Sequence, residues 1–145
     1  KRKITNLLNI PKKENLKNEV RKKVLKSKDD LKKLEKIIHP LVRKEMFFFL
    51  KKNKHRKIVF LEIPLLIESK LTNYFDVIIF IKSKKSIRLK RYVSKYKKSS
   101  KLFNLLDQKQ IKDSKKIKFC DHVVINNNSL SDLKRKLFNI LKIYE

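Results

Sequence analysis

Three places along the chain carry residue types that could do chemistry. The apolar, β-prone run Ile58-Val59-Phe60-Leu61 ends in Glu62, and a carboxylate closing a buried strand can hold a divalent metal directly or through water. An acid at that point equally marks a chain leaving its core. The run Val123-Val124-Ile125 leads into Asn126-Asn127-Asn128, amides placed where a strand hands over to a loop. Between the two lies a stretch near 84–118 dense in Lys and Arg, charges suited to phosphate oxygens or to plain solvation. Cys120 and His122 are too few for a metal centre, and Cys120 reads as a small buried apolar residue.

The elements that must position these residues follow from periodicity. Leu16, Val20, Val24 and Leu25 recur at helical spacing over residues 12–26. Ser27, with Asp30 three residues on, forms the capping signature of a long second helix. Its stripe runs Leu31, Leu34, Ile37, Ile38, Leu41, Val42, Met46, Phe49 and Leu50. Pro40 interrupts that stripe and should kink it. Continuous apolar runs predict buried strands near 58–62, 76–81 and 122–125. Residues 64–68 form a connecting turn, helices cover 84–96 and 100–118, and Ser129 caps a final helix over 130–143. Strands alternating with helices imply an α/β fold with a parallel sheet. Ligands in such sheets sit beyond the carboxyl ends of the strands. Here those ends are residues 62–68, Lys82 onward and 126–129.

Composition removes several classes of function. The 145 residues contain no glycine, where about ten would be usual, so no glycine-built phosphate cradle lies within them. One cysteine excludes an internal disulfide, and the expected compartment is a reducing cytoplasm. No apolar run approaches the ~18 residues that span a bilayer. The net charge of +27 comes from 41 Lys and Arg, of which 34 are Lys. These are spread along the chain, while the aromatics cluster with apolar neighbours. That distribution suits a Lys-inflating coding bias better than a nucleic-acid face, which favours Arg forks and interleaved aromatics.

The segments Ile38-His39-Pro40-Leu41-Val42, Pro64-Leu65-Leu66-Ile67-Glu68, Gln110 and Asp121-His122-Val123-Val124-Ile125-Asn126-Asn127 stand in the order and spacing of one family. From about residue 20 onward the chain resembles dephospho-coenzyme A kinase, a P-loop enzyme. The resemblance implies a three-layer P-loop kinase-like domain, incomplete here, with lid helices at about 84–118. It implies transfer of the ATP γ-phosphoryl to the ribose 3′-hydroxyl of dephospho-coenzyme A with Mg2+. His39 and Pro40 match the pair beside the acceptor pocket, and Pro64, Leu65, Leu66 and Glu68 match the turn that walls it. Glu68 would orient a cation or cap a helix. Gln110 matches the lid glutamine. Arg91 and Lys95 fall at the two lid Arg positions and would be the catalytic cations, Lys95 lacking the bidentate fork. The neighbouring Lys84, Lys85, Arg88, Lys90, Lys97 and Lys98 read as a solvated face. Asn126 and Asn128 match the nucleotide-side loop, with Asn128 in place of a Gly and suited to a left-handed backbone. Glu62 is the metal-ligand candidate.

The family's phosphate loop, catalytic aspartate and first two strands precede the matched region. The chain is therefore expected to be one truncated domain, residues 1–145, of a kinase of about 190–200 residues, inactive alone and weak in ATP binding. Dephospho-coenzyme A and ATP are the expected partners, with no specific nucleic acid and no membrane. Two alternatives stand beside this reading: another P-loop kinase acting on a nucleoside monophosphate or small alcohol, and a basic RNA- or ribosome-associated α/β protein.

Overall fold

The computed structural model describes Ile4, Leu7, Leu8, residues 15–96 and residues 100–145. Pro11, Lys97 and Lys98 lie outside the described residues. The chain divides into two compact units, residues 1–62 and 63–145.

The first unit is helical. α1 (Leu16–Lys26) meets α2 (Lys28–Lys52) at Ser27, which ends one helix and caps the other. The Asp30 N–H donates to Ser27 Oγ at 3.3 Å, the bond that the Ser-x-x-Asp spacing predicts. The two helices pack against each other, with Val24, Leu31 and Met46 buried. The helix runs through Pro40 without a break; the cost is one missing donor toward the Lys36 carbonyl. The central part of the predicted stripe is solvent-facing, with Leu41 57% and Phe49 44% exposed.

Residues 58–62 correct one expectation. They form no strand, and Phe60 is exposed. A β-prone run becomes a strand only when a neighbour supplies the other half of its hydrogen-bond ladder, and no such neighbour exists among the described residues.

The second unit carries the sheet. β1 (Ile79–Lys82) and β2 (His122–Ile125) pair in parallel, with Ile79 opposite His122 and Lys82 opposite Ile125. β2 coincides with its predicted run, while β1 starts three residues later than the predicted 76–81 and extends one residue past it, to Lys82. Between them come α3 (Lys85–Tyr96), α4 (Ser100–Gln108) and the single turn α5 (Asp113–Lys116), followed by a 3-10 turn at Ile117–Phe119. The single helix expected over 100–118 is thus broken at 109–112. α6 (Leu130–Leu141) closes the unit and packs on β2. Its N-cap is Ser129, whose Oγ accepts the Asp132 N–H at 3.2 Å. Leu71, Phe103 and Val124 form the buried apolar centre. Phe103 lies 5.7 Å from the Tyr92 ring and beneath the Arg88 guanidinium.

Left-handed backbone falls on Leu65 (φ 60°) and Lys70 (φ 55°), and not on Asn128. The expectation for Asn128 therefore fails; its side chain and carbonyl are spent on the hydrogen bonds described below. Side chains with a Cβ pay about 1–2 kcal/mol for this conformation, and no glycine is present to relieve it. Lys70 is exposed, so Lys70→Gly should raise stability by about 0.5–1 kcal/mol after the added unfolded-state freedom is subtracted. Urea unfolding should show a higher midpoint at unchanged slope.

Candidate active site

The site is built outward from the ends of β1 and β2. At the start of the ladder, Asp121 Oδ2 accepts the Ile78 N–H at 2.7 Å, and the Ile78 carbonyl accepts the Asp121 and His122 N–H groups. At the far end the Asn126 N–H donates to the Lys82 carbonyl at 2.7 Å. Asn127 Oδ1 then accepts from Lys84 N–H at 2.9 Å and from Ser83 Oγ at 3.2 Å. These are the free donors ahead of α3, so Asn127 serves that helix from another segment much as a cap would.

α3 returns the connection two turns later. Arg91 donates from Nη1 to the Asn126 carbonyl at 2.9 Å and from Nη2 to the Asn128 carbonyl at 3.1 Å. The Arg91 fork thus grips the loop backbone, and its donors are not held toward open space. Asn128 Nδ2 reaches Asp132 Oδ2 at 3.2 Å. Asp132 also pairs with Arg135 at 2.8 Å and Lys136 at 2.6 Å, and Lys136 donates to the Ile125 carbonyl. Lys136 first, then Arg135 and Asn128, hold the Asp132 carboxyl down at about 2.

The lid stretch is less solvated than its sequence suggests. Asp107 on α4 takes ion pairs from Lys85 at 3.1 Å and from Arg88. Burial pushes the Asp107 carboxyl up, but those two cations outweigh it and leave it below its ordinary value. Lys85 and Arg88 therefore lock α3 to α4 and are not merely a solvated face. Lys95 is exposed, its ammonium 5.4 Å from the Tyr96 ring.

Glu68 and Gln110 meet at a lysine that the sequence did not single out. Lys116 is 7% exposed. Its Nζ lies 2.9 Å from Glu68 Oε1 and donates to Gln110 Oε1 at 2.9 Å. The Phe80 ring centroid lies 5.7 Å away. Glu68 Oε1 also accepts the Ile111 N–H at 3.0 Å. Burial raises the Glu68 carboxyl; the Lys116 bond, its own backbone N–H and that of Ile111 outweigh this and lower it overall. Of the two sequence-based options, Glu68 orients a cation. Pro64 and Leu65 are exposed and Leu66 is half-buried. Cys120 donates its thiol hydrogen to the Lys116 carbonyl, and burial followed by Asp121 raises its pKa, which suits an inert thiol.

His39, Pro40 and Glu62 belong to the first unit, and all three are exposed. Among the described residues no group of three or more His, Cys, Asp or Glu could hold a metal, and Glu62, the metal-ligand candidate, stands exposed in the first unit. No described helix is long and apolar enough to cross a membrane.

A family model described as dephospho-CoA kinase matches residues 12–132. A dephospho-CoA kinase of Rickettsia typhi is 30% identical over 113 residues, covering 78% of this chain and 59% of that protein. One from Protochlamydia amoebophila is 38% identical over 118 residues, covering 77% and 58%. The chain thus spans somewhat under two thirds of the length of these curated relatives. A solved dephospho-CoA kinase structure from Campylobacter jejuni superposes with a TM-score of 0.59 at 26% identity, covering 97% of this chain and 73% of that one. Neither alternative function finds support in these matches.

The loop geometry generates a pH prediction. The folded Asp132 carboxyl at about 2 lies below the ordinary unfolded value of about 3.9. Its stabilising contribution is therefore complete above the unfolded value and lost as pH falls through the folded one. Asp132→Asn should lower Tm at pH 6 and match the parent near pH 2, in thermal scans across that range. Asn127→Ala, which leaves the Lys84 N–H without its partner, should cost about 1 kcal/mol in denaturant unfolding.

Proposed function

The chain belongs to the dephospho-CoA kinase family, and we propose that it forms the acceptor-side, lid and nucleotide-side parts of an enzyme that phosphorylates the ribose 3′-hydroxyl of dephospho-coenzyme A with ATP. The observation that supports this most strongly is the meeting of the residue 64–68 turn with the lid arm at Lys116. Two segments more than 40 positions apart, each matching a different piece of the acceptor site, share one buried ammonium.

Each residue has a part in this proposal. Pro64, Leu65 and Leu66 wall the acceptor, while Glu68 and Gln110 supply its polar contacts. His39 and Pro40, on α2 of the first unit, match the family's pair beside the acceptor pocket. The loop holding Asn126 and Asn128 borders the nucleotide. Phosphoryl transfer depends on in-line positioning and on cations that meet the charge of the transferring group. Lys95, the less occupied of the two lid cations, is the one free to make that contact. Arg91 is committed to the loop carbonyls in this structure and serves the nucleotide by shaping that loop. These 145 residues contain no glycine from which to build a phosphate cradle. The family relation carries ATP as phosphate donor, and a divalent metal neutralises its phosphates when bound.

A coupled ADP-release assay on the product of the complete reading frame tests the proposal. Turnover with dephospho-coenzyme A and none with AMP is expected; equal use of AMP rejects it. In the same assay Arg91→Ala should raise the Michaelis constant for ATP more than it lowers kcat.

A further inference from the structure

We propose that Lys116 is a positioning residue of the acceptor side, its buried ammonium fixing Glu68 and Gln110 in one arrangement. The inference deepens the dephospho-CoA kinase reading and rests on it.

A lysine ammonium has three donors and no acceptor. Here two directions are taken by carboxylate and amide oxygens, both at 2.9 Å, and an aromatic face lies within cation–π reach. A charge this deeply buried persists only when its partners compensate the lost hydration. Glu68 and Lys116 therefore hold one another, since moving either strands a charge, and Gln110, itself exposed, completes the ammonium's partners from the rim. The Ile111 N–H on Glu68 Oε1 ties the lid backbone into the same knot.

The knot uses only half of the Glu68 carboxylate. Oε2 is buried and has no hydrogen-bond partner. Native structures leave few buried polar atoms unpaired, and an ionised carboxylate oxygen can only accept. With Oε1 fixed by Lys116, Oε2 is held ready for a donor on the acceptor molecule, a hydroxyl or an N–H. Lys116 itself touches no substrate in this arrangement. It acts through the two residues it holds.

The test uses the complete protein with Lys116→Met, which keeps the chain length and removes the donors, and the double variant Lys116→Met/Glu68→Gln, which leaves no unpaired charge. Loss of the clamp should raise the Michaelis constant for dephospho-coenzyme A about tenfold, the scale of one charge-assisted hydrogen bond, and leave that for ATP within about twofold. If the single variant does not fold, the double variant supplies the same comparison. An unchanged acceptor constant, or an equal rise for both substrates, overturns the proposal. If the parent protein transfers no phosphate to dephospho-coenzyme A, the functional reading fails, and amide exchange decides the positioning claim. Exchange at Ile111 at least about tenfold faster in the Lys116→Met protein then supports it, and unchanged exchange overturns it.

Discussion

Two parallel strands of four residues each are too small to hold themselves together, and the second unit depends on how that deficit is met. Asp121 and Asn127 sit just outside the two ends of β2 and close the ladder with side chains where backbone partners run out. Because Asn127 bonds to the start of α3, the same residue that ends the sheet also sets where that helix begins. Arg91 makes the connection reciprocal two turns later. Strand, loop and helix are thus fixed by a few long-range polar contacts, and the 126–128 loop derives its shape from α3.

The far end of the lid is held by different physics. At the loop, partly exposed amides and a surface guanidinium make bonds of modest individual strength. At Lys116 a fully charged group is taken out of water, and its partners must compensate for the lost hydration. Asp107 makes a middle anchor, pairing with Lys85 and Arg88 while Phe103 packs beneath the Arg88 guanidinium. Helices α3 to α5 are therefore pinned at three levels of burial. A highly cationic chain with 14 acidic residues has placed three of them, Glu68, Asp107 and Asp132, where each neutralises at least one of the surrounding cations.

Much of this was legible in the sequence, for physical reasons that differ by element. Both Ser-x-x-Asp caps were, because capping depends on residues three apart and on nothing distant. The runs at 76–81 and 122–125 were legible as strands because β-branched apolar residues suit few other environments, but their burial was not: only Val124 is buried, and Ile81, Val123 and Ile125 are exposed. Residues 58–62 have the same composition and form no strand, since pairing requires a neighbour that composition does not supply. Gln110 and Glu68 were marked by their match to a family, yet the residue joining them was not. Among 34 lysines, burial of one is decided by tertiary packing, and no local pattern separates Lys116 from Lys115. Asn127 stands in an amide run that the sequence does mark, but its part in it is not legible for a related reason. In a run of three asparagines the working side chain is chosen by the pleat and the turn, and residue type offers no discrimination.

The left-handed backbone at Leu65 and Lys70 has a wider implication for a glycine-free chain. Sharp reversals are ordinarily found by looking for the residue that tolerates them, and here that signpost is absent while the reversals remain. One of them, at Leu65, lies inside the segment proposed to wall the acceptor site, and its conformation runs against the preference of its own residue type. Grafting this loop onto another scaffold would transplant the letters without the forces that bend them.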